Sequence, residues 1–382
     1  MKPSDAIDRA MQSAVRHGVF PGAVLLIRVD GHVVFHSAFG SASLVPEREP
    51  ASLGTVYDLA SLTKPLATTS AILCLVQDGR LQLEDAIETH LESLRGWAIG
   101  AATIRHLLAH SSGLPAWRPI YERIDEEGRT RAGYFGSEAA KRLTLECIRE
   151  ESLLFPMGAR SLYSDLGFIL LGLLVERVTG DTIATYCRSR IYTPLGVDSL
   201  YFFDTTGVAV GGPNGQSPDL HQVAPTEDDP WRGRILRAEV HDENAYALGG
   251  VCGHAGLFGT ASAVLEVSGR WLKSYLDQDG FFPSKLVRQF VTRQAGISGS
   301  SWGLGWDTPS APSSTGTRFS PNSFGHLGYT GTSLWIDPLS KLEVVLLSNR
   351  VHPSRRCNDI QGFRPEIHDL ICQEFLPRPH NV

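Results

Sequence analysis

Both ends of the chain read as strand while the middle reads as helix, and this arrangement constrains the fold most. Ala23 to Val29 and His32 to Phe39 are apolar, partly β-branched runs separated by Asp30-Gly31, a pair that a type I′ hairpin turn prefers. Towards the other end, His326 to Ile336 and Leu342 to Ser348 are strand-like again, with Asp337-Pro338 as the turn between them. Strands at both ends enclosing a helical middle imply one antiparallel sheet built from the two termini.

The helical signals fit that frame. With Ser4 as cap, Ile7, Ala10, Met11, Ala14 and Val15 recur at the spacing of one apolar helix face, which should lie on the sheet. Ser61 to Asp78 reads as a helix with Ala67, Ala71 and Leu75 on one side and Gly79 as its stop; Pro65 is tolerated because it falls in the first turn. Further helices are expected at Thr103 to Leu108, Ser137 to Glu150, Asp165 to Thr179 and Thr182 to Ile191, and a terminal one from near Pro365 that uses Ile367, Leu370, Ile371 and Phe375. Gly207 to Pro218 and Gly296 to Asn322 are rich in Gly, Ser, Thr and Pro and should be loops able to border a cleft. The expected class is therefore α+β. Residues 1–80 and 285–382 form a sheet domain flanked by helices, residues 81–284 a mostly helical insertion, and the active site lies in the cleft between them. A length of 382 residues suits two such units.

Composition excludes several functions. Thirty-five basic against 41 acidic residues give a net charge of −6, and no Lys/Arg run is dense enough to follow a phosphate backbone, so nucleic acid is not expected as a partner. No window approaches the ~20 apolar residues of a membrane span. Charges at Asp5, Asp8 and Arg9 break any apolar stretch of a secretory signal, which points to a mature cytoplasmic protein. Six cysteines lie far apart with no CxxC pair, so neither a zinc knuckle nor a disulfide framework is expected, and no cofactor is implied.

The chemistry starts at Ser61-Leu62-Thr63-Lys64. A serine hydroxyl needs a base, and a lysine serves when its surroundings lower its pKa towards the working pH. Three residues apart at a helix start, the two side chains share one face, and the helix N-terminus disfavours the lysine's charge. The pattern alone occurs by chance in many chains. Here Tyr163-Ser164-Asp165 follows about a hundred residues later, before an apolar helix, and Gly325-His326-Leu327-Gly328-Tyr329-Thr330-Gly331 opens a late strand.

With these three motifs in this order the chain resembles the serine β-lactamase, penicillin-binding protein and carboxylesterase superfamily, in its class C-like branch. That family carries SxxK, then YxN or a variant, then KTG or HxG. Thr103 to Leu114, Gly256-Leu257-Phe258 and Leu347-Ser348-Asn349-Arg350 are similar to it too, and the likeness runs from about residue 5 to 375. The resemblance implies that Ser61 attacks the acyl carbon, Lys64 takes its proton, and Tyr163 shuttles a proton to the leaving group. His326, with Asp165 and Gly328, would complete the substrate and proton network. The backbone N–H groups of Ser61 and Tyr329 would form the oxyanion hole, each lowering the barrier by roughly 3 kcal/mol.

Two departures from the family pattern bear on substrate. Asp165 puts a carboxylate where an amide is usual, and His326 and Leu327 replace a lysine and a threonine that would hold a substrate carboxylate. Both favour a small neutral ester over a β-lactam or D-alanyl peptide, so carboxylesterase-like cleavage of a small ester or amide is expected. A β-lactamase or D-alanyl-D-alanine carboxypeptidase is the alternative, and a non-catalytic acylated sensor on the same fold a second one. No GxSxG elbow supports an α/β-hydrolase. His106 and His110, four residues apart, read as packing. His241, Asp242 and His254 lie in a polar, Gly-rich stretch and are candidates for lining the pocket, with no metal expected. The oligomeric state is not readable.

Overall fold

The computed structural model describes residues 3–131, 133–212, 217–278 and 280–376. A six-stranded antiparallel sheet takes strands from both ends of the chain, in the order Phe324–Leu327, Ser333–Asp337, Leu342–Ser348, Gly22–Val29, His32–Ser43 and Glu49–Pro50. Asp30 and Gly31 both have positive φ, as a type I′ turn demands. The stretch His326 to Ile336 is not one strand. Gly328 to Thr332 form a tight turn that splits it into a hairpin, closed by Gly328 N–H donating to the Thr332 carbonyl at 2.7 Å.

Period-two alternation explains why the first strand is apolar throughout. Val24 and Leu26 face the larger core beneath the helical middle, while Ala23, Leu25 and Ile27 face a second core. That second core is covered by the first and last helices, through Ile7, Met11 and Ala14 and through Ile367 and Ile371. The first helix begins at Pro3; the side chain of Ser4, read as its cap, lies outside the described residues. The last helix starts at Ile360, five residues before Pro365, which therefore sits inside it.

Helices Ile104–Leu108, Glu138–Arg149 and Asp165–Thr179 lie where the periodicity places them, and Thr182 to Ile191 is helical with a π-type last turn. Helix Ala261–Tyr275 packs on the sheet strands Gly22–Val29 and Leu342–Ser348, tied there by buried Arg28. Arg28 donates to Glu343 at 2.6 and 2.9 Å and to the Leu265 carbonyl at 2.9 Å. A second small sheet joins Tyr57–Asp58, Leu257–Gly259, Leu200–Phe203 and Ala209–Val210. The last of these strands falls within the Gly207 to Pro218 stretch, of which residues 213–216 lie outside the described residues. Among the described residues no helix is long and apolar enough to cross a membrane.

Candidate active site

Ser61 stands at a junction of three kinds of helix: a 3₁₀ turn over Ala60–Leu62, a π segment over Lys64–Thr69 and an α-helix over Ser70–Gln77. The expected single helix is thus one helical path with a changing pitch. Ala60 has φ +48°, a left-handed conformation that costs a non-glycine residue free energy. The surroundings hold it there. Asp58 Oδ1 accepts from Ala60 N–H at 2.8 Å, and Thr63 Oγ1 donates to the Ala60 carbonyl at 2.6 Å. From the neighbouring hairpin, Thr330 Oγ1 donates to the Asp58 carbonyl at 2.7 Å and Thr332 Oγ1 to the Leu59 carbonyl at 3.0 Å. Gly328 is required by this approach, because a Cβ there would stand 1.9 Å from Thr332 Oγ1 and 2.7 Å from the Leu59 carbonyl oxygen.

Two donors meet Ser61 Oγ: Lys64 Nζ at 2.9 Å and the Tyr163 hydroxyl at 2.8 Å. Lys64 is fully buried and also donates to Asp165 Oδ1 at 2.7 Å and to the His254 carbonyl at 3.0 Å. The expectation of a lysine with lowered pKa is reversed. Burial pulls the ammonium down, but the Asp165 carboxylate and the nearby Tyr163 outweigh it, and Lys64 is held above its ordinary value. The Tyr163 hydroxyl is pushed up to about 12 by burial, against the pull of Lys64.

The Tyr163-Ser164-Asp165 segment is positioned by its neighbours. Ser164 caps helix Asp165–Thr179, its Oγ donates to the Pro115 carbonyl at 2.7 Å, and its N–H donates to His110 Nδ1 at 3.1 Å. His110 is buried against the rings of Tyr163 and Phe168, so its packing role includes holding the backbone that aims Tyr163. His106 accepts from Thr103 N–H at 3.2 Å in a capping box.

His326 is 2% exposed. Its Nδ1–H donates to the Leu327 carbonyl at 2.7 Å, and burial with Lys64 nearby drives its pKa down to about 3. The ring is neutral, and Nε2 is a bare acceptor with no partner. Tyr329 is 51% exposed at the rim, stacked between His241 and the Arg350 guanidinium. Among the described residues neither the Ser61 nor the Tyr329 N–H is taken up by a backbone carbonyl.

The stretch around His241 separates into two pairs. His241 Nε2 meets Glu227 Oε2 at 2.9 Å, whereas His254 Nε2 meets Asp242 Oδ1 at 2.8 Å. Among the described residues no group of three or more His, Cys, Asp or Glu is arranged to hold a metal ion. A cavity of about 730 Å³ opens over Ser61, and His241 and Asp242 line it while His254 lies behind. Of the two loops expected to border the cleft, Gly296 to Asn322 contributes Trp302 and Asp307.

Sequence reasoning missed the cationic wall. Arg350, Arg355 and Arg364 all line the cavity. Arg355 is paired with Glu227 and with Glu243, the latter at 2.9 Å. Arg364 donates to the Gly328 and Thr332 carbonyls at 2.9 and 2.7 Å, and Arg350 donates to the Tyr329 carbonyl at 2.9 Å. No carboxylate faces either of these two among the ion pairs of the described residues. The signal available was Asn349-Arg350 in the motif Leu347 to Arg350; Arg364 had none, since it reaches the site only when the last helix docks.

The family model described as Beta-lactamase matches residues 7–362. A curated relative from Escherichia coli (strain K12), named "Putative D-alanyl-D-alanine carboxypeptidase", is 34% identical over 373 residues, which is 91% of this chain and 82% of that protein. One of the same name from Escherichia coli O157:H7 is 33% identical over 375 residues, at the same coverage. Among solved structures, SurE aligns with TM-score 0.68 at 24% identity over 96% of this chain and 76% of that one. EstCE1, a hydrolase with promiscuous acyltransferase activity, aligns with TM-score 0.72 at 21% identity over 97% and 98%. The octameric penicillin-binding protein homologue from Pyrococcus abyssi aligns with TM-score 0.68 at 23% identity over 91% and 73%. These structures share the fold.

Proposed function

Since the chain belongs to the beta-lactamase family and is a serine hydrolase, we propose that it cleaves small esters and amides through a Ser61 acyl-enzyme, in the manner of a carboxylesterase. The observation that carries this reading is the pair of hydrogen bonds to Ser61 Oγ, from Lys64 at 2.9 Å and Tyr163 at 2.8 Å. Lys64 must shed a proton before it can take one, and Asp165 Oδ1 lies 2.7 Å away to receive it. The neutral amine then takes the Ser61 proton as Oγ bonds to the acyl carbon. The Ser61 and Tyr329 N–H groups stabilise the oxyanion. Tyr163 protonates the leaving group and, on deacylation, takes a proton from the attacking water. His326 Nε2 serves as a further acceptor beside Tyr163. Turnover of p-nitrophenyl acetate and butyrate by the wild type, lost in Ser61→Ala, tests the reading, and ester turnover that survives in Ser61→Ala sinks it.

A second reading, cleavage of D-alanyl peptides, is favoured by Arg350 and Arg364. The sequence argument against a carboxylate-bearing substrate rested on the lost lysine and on repulsion by Asp165. Asp165 is paired with Lys64, and the two guanidinium groups restore positive charge to the cavity. Curated relatives at 33–34% identity carry the carboxypeptidase name. Release of D-alanine from a D-alanyl-D-alanine peptide by the wild type and not by Ser61→Ala is the measurement. An acylated sensor would instead give a burst equal to the enzyme concentration and then stop. All six cysteines are free, which suits a reducing cytoplasmic compartment.

A further inference from the structure

One wall of the cavity carries acceptors that no donor of the protein meets among the described residues. Asp307, in the loop that precedes strand Phe324–Leu327, pairs with that strand: its N–H donates to the Gly325 carbonyl at 2.8 Å, and its own carbonyl accepts from Gly325 N–H at 2.9 Å. Its Oδ1 accepts from Ser301 Oγ at 2.6 Å and from Thr308 N–H at 2.9 Å. The only charged group acting on it among the described residues is Arg293, which donates from Nε to Thr308 Oγ1 and from Nη2 to the Pro309 carbonyl. Both donors that meet the Asp307 carboxylate among the described residues go to Oδ1 and none to Oδ2, and the residue lines the cavity.

His326, next along the strand from Gly325, lines the same cavity and carries Nε2 with no partner, although the side chain is buried. Its tautomer is fixed by the Nδ1–H bond to the Leu327 carbonyl, so Nε2 offers only a lone pair. The Trp302 ring stands 5.4 Å from the His326 ring and 5.5 Å from the Tyr163 ring, and Trp302 bridges to Asp307 through the backbone. A carboxylate oxygen, a bare imidazole nitrogen and an indole face match the needs of one ligand group, which is a compact cation with several N–H donors. Neutral hydroxyl or carbonyl groups would leave the carboxylate uncompensated, and an anion would be repelled.

We propose that Asp307, His326 and Trp302 form a subsite for a primary ammonium group, so that the preferred substrates are esters or amides of small amino acids with a free amine. This rests on the Ser61 acyl-enzyme reading and narrows its acyl group. The subsite lies beside Tyr163, whose hydroxyl contacts Ser61 Oγ, so an amine on the acyl part is within reach. Burial pushes the Asp307 carboxyl up to about 6, which is what a carboxylate short of partners shows, and a bound ammonium would supply one.

Alanine p-nitroanilide and propionyl p-nitroanilide share a skeleton and differ only in the amine, and both enantiomers of the former are used. The wild type should hydrolyse at least one alanine enantiomer with kcat/KM at least about tenfold above the propionyl compound, because a buried polar site rejects an analogue that lacks the donor. In Asp307→Asn that preference should fall towards unity, mainly through KM, with the propionyl value retained. Equal rates for the two compounds in the wild type overturn the subsite. So does a variant that lowers both alike, since that is the mark of a structural role. If Asp307→Asn does not fold, the wild-type ratio still decides. Loss of every Ser61-dependent turnover, simple esters included, would overturn the acyl-enzyme reading and the subsite with it, a result distinct from equal rates.

Discussion

The ammonium of Lys64 lies 2.7 Å from the carboxylate of Asp165, the third residue of the motif that begins with Tyr163. Lys64 comes from the helix that carries the nucleophile and Asp165 from the first turn of another helix, so the contact joins two elements about a hundred residues apart in sequence. It changes the meaning of both residues. Asp165 is a counter-ion for Lys64 before it is a surface presented to substrate, and Lys64 rests charged in a place where burial alone would neutralise it.

The nucleophile can be trapped. Exposure to a fluorophosphonate should add one mass increment to the wild type and none to Ser61→Ala. Intact-mass measurement checks this, and an adduct that persists in the alanine variant assigns the nucleophile elsewhere.

Lys64→Ala and Tyr163→Phe should each lower ester turnover by at least about a hundredfold with a native circular dichroism spectrum. Both side chains donate to Ser61 Oγ. Near-wild-type turnover in Tyr163→Phe would leave the proton transfers to Lys64 alone.

Asp165→Asn should move the acid limb of the kcat/KM profile to lower pH by at least about one unit. With the carboxylate gone, burial dominates and lowers the Lys64 pKa, so the amine rests neutral at lower pH and no longer needs Asp165 to take its proton. A limb that stays in place or moves upward would show that Lys64 does not set it.

Arg364→Gln should lower kcat/KM for a D-alanyl peptide by about tenfold more than for p-nitrophenyl acetate, because its positive charge attracts a substrate carboxylate and has no such partner in a neutral ester. Measuring both substrates on one preparation gives the ratio. An unchanged ratio removes Arg364 from carboxylate recognition.

The pair of His254 and Asp242 should stabilise the fold in a defined pH window. Burial opposes both charges, yet the Asp242 carboxylate holds the imidazole well above its ordinary value, and the imidazolium holds Asp242 below the usual carboxylate range. The raised histidine contributes fully below its unfolded value of ~6.5 and loses that contribution as pH rises through its folded value. The depressed aspartate contributes above ~3.9 and loses it as pH falls through its folded value. Between about pH 4 and 6.5 both act. There His254→Gln should cost roughly 1–3 kcal/mol in urea unfolding, since it takes the partner from a half-buried carboxylate. A cost under about 1 kcal/mol would mean the pair is not ionised.

The reach of sequence reasoning follows the range of the interaction. Apolar periodicity and turn chemistry are local, so the Asp30-Gly31 hairpin and the helices at 138–149 and 165–179 were legible. The break of His326 to Ile336 into a hairpin was not, because Gly328 reads as an ordinary strand interruption until Thr332 and Leu59 are seen pressed against it. The terminal helix begins five residues before Pro365, which in the sequence looks like a first-turn proline.

By itself the sequence determined that both ends build one sheet and that Ser61 and Lys64 share a helix face, since periodicity and spacing carry that information, while Tyr163 and His326 joined them through the family resemblance that the order of the motifs carries. Only the tertiary structure decided the protonation and charge of the site. The pKa of a buried group depends on which partners lie within a few ångströms and on how much water is excluded. For Lys64 that partner is Asp165; for the cavity wall it is Arg350 and Arg364, brought in by the strand end and the last helix. Neither distance nor burial is written in local sequence.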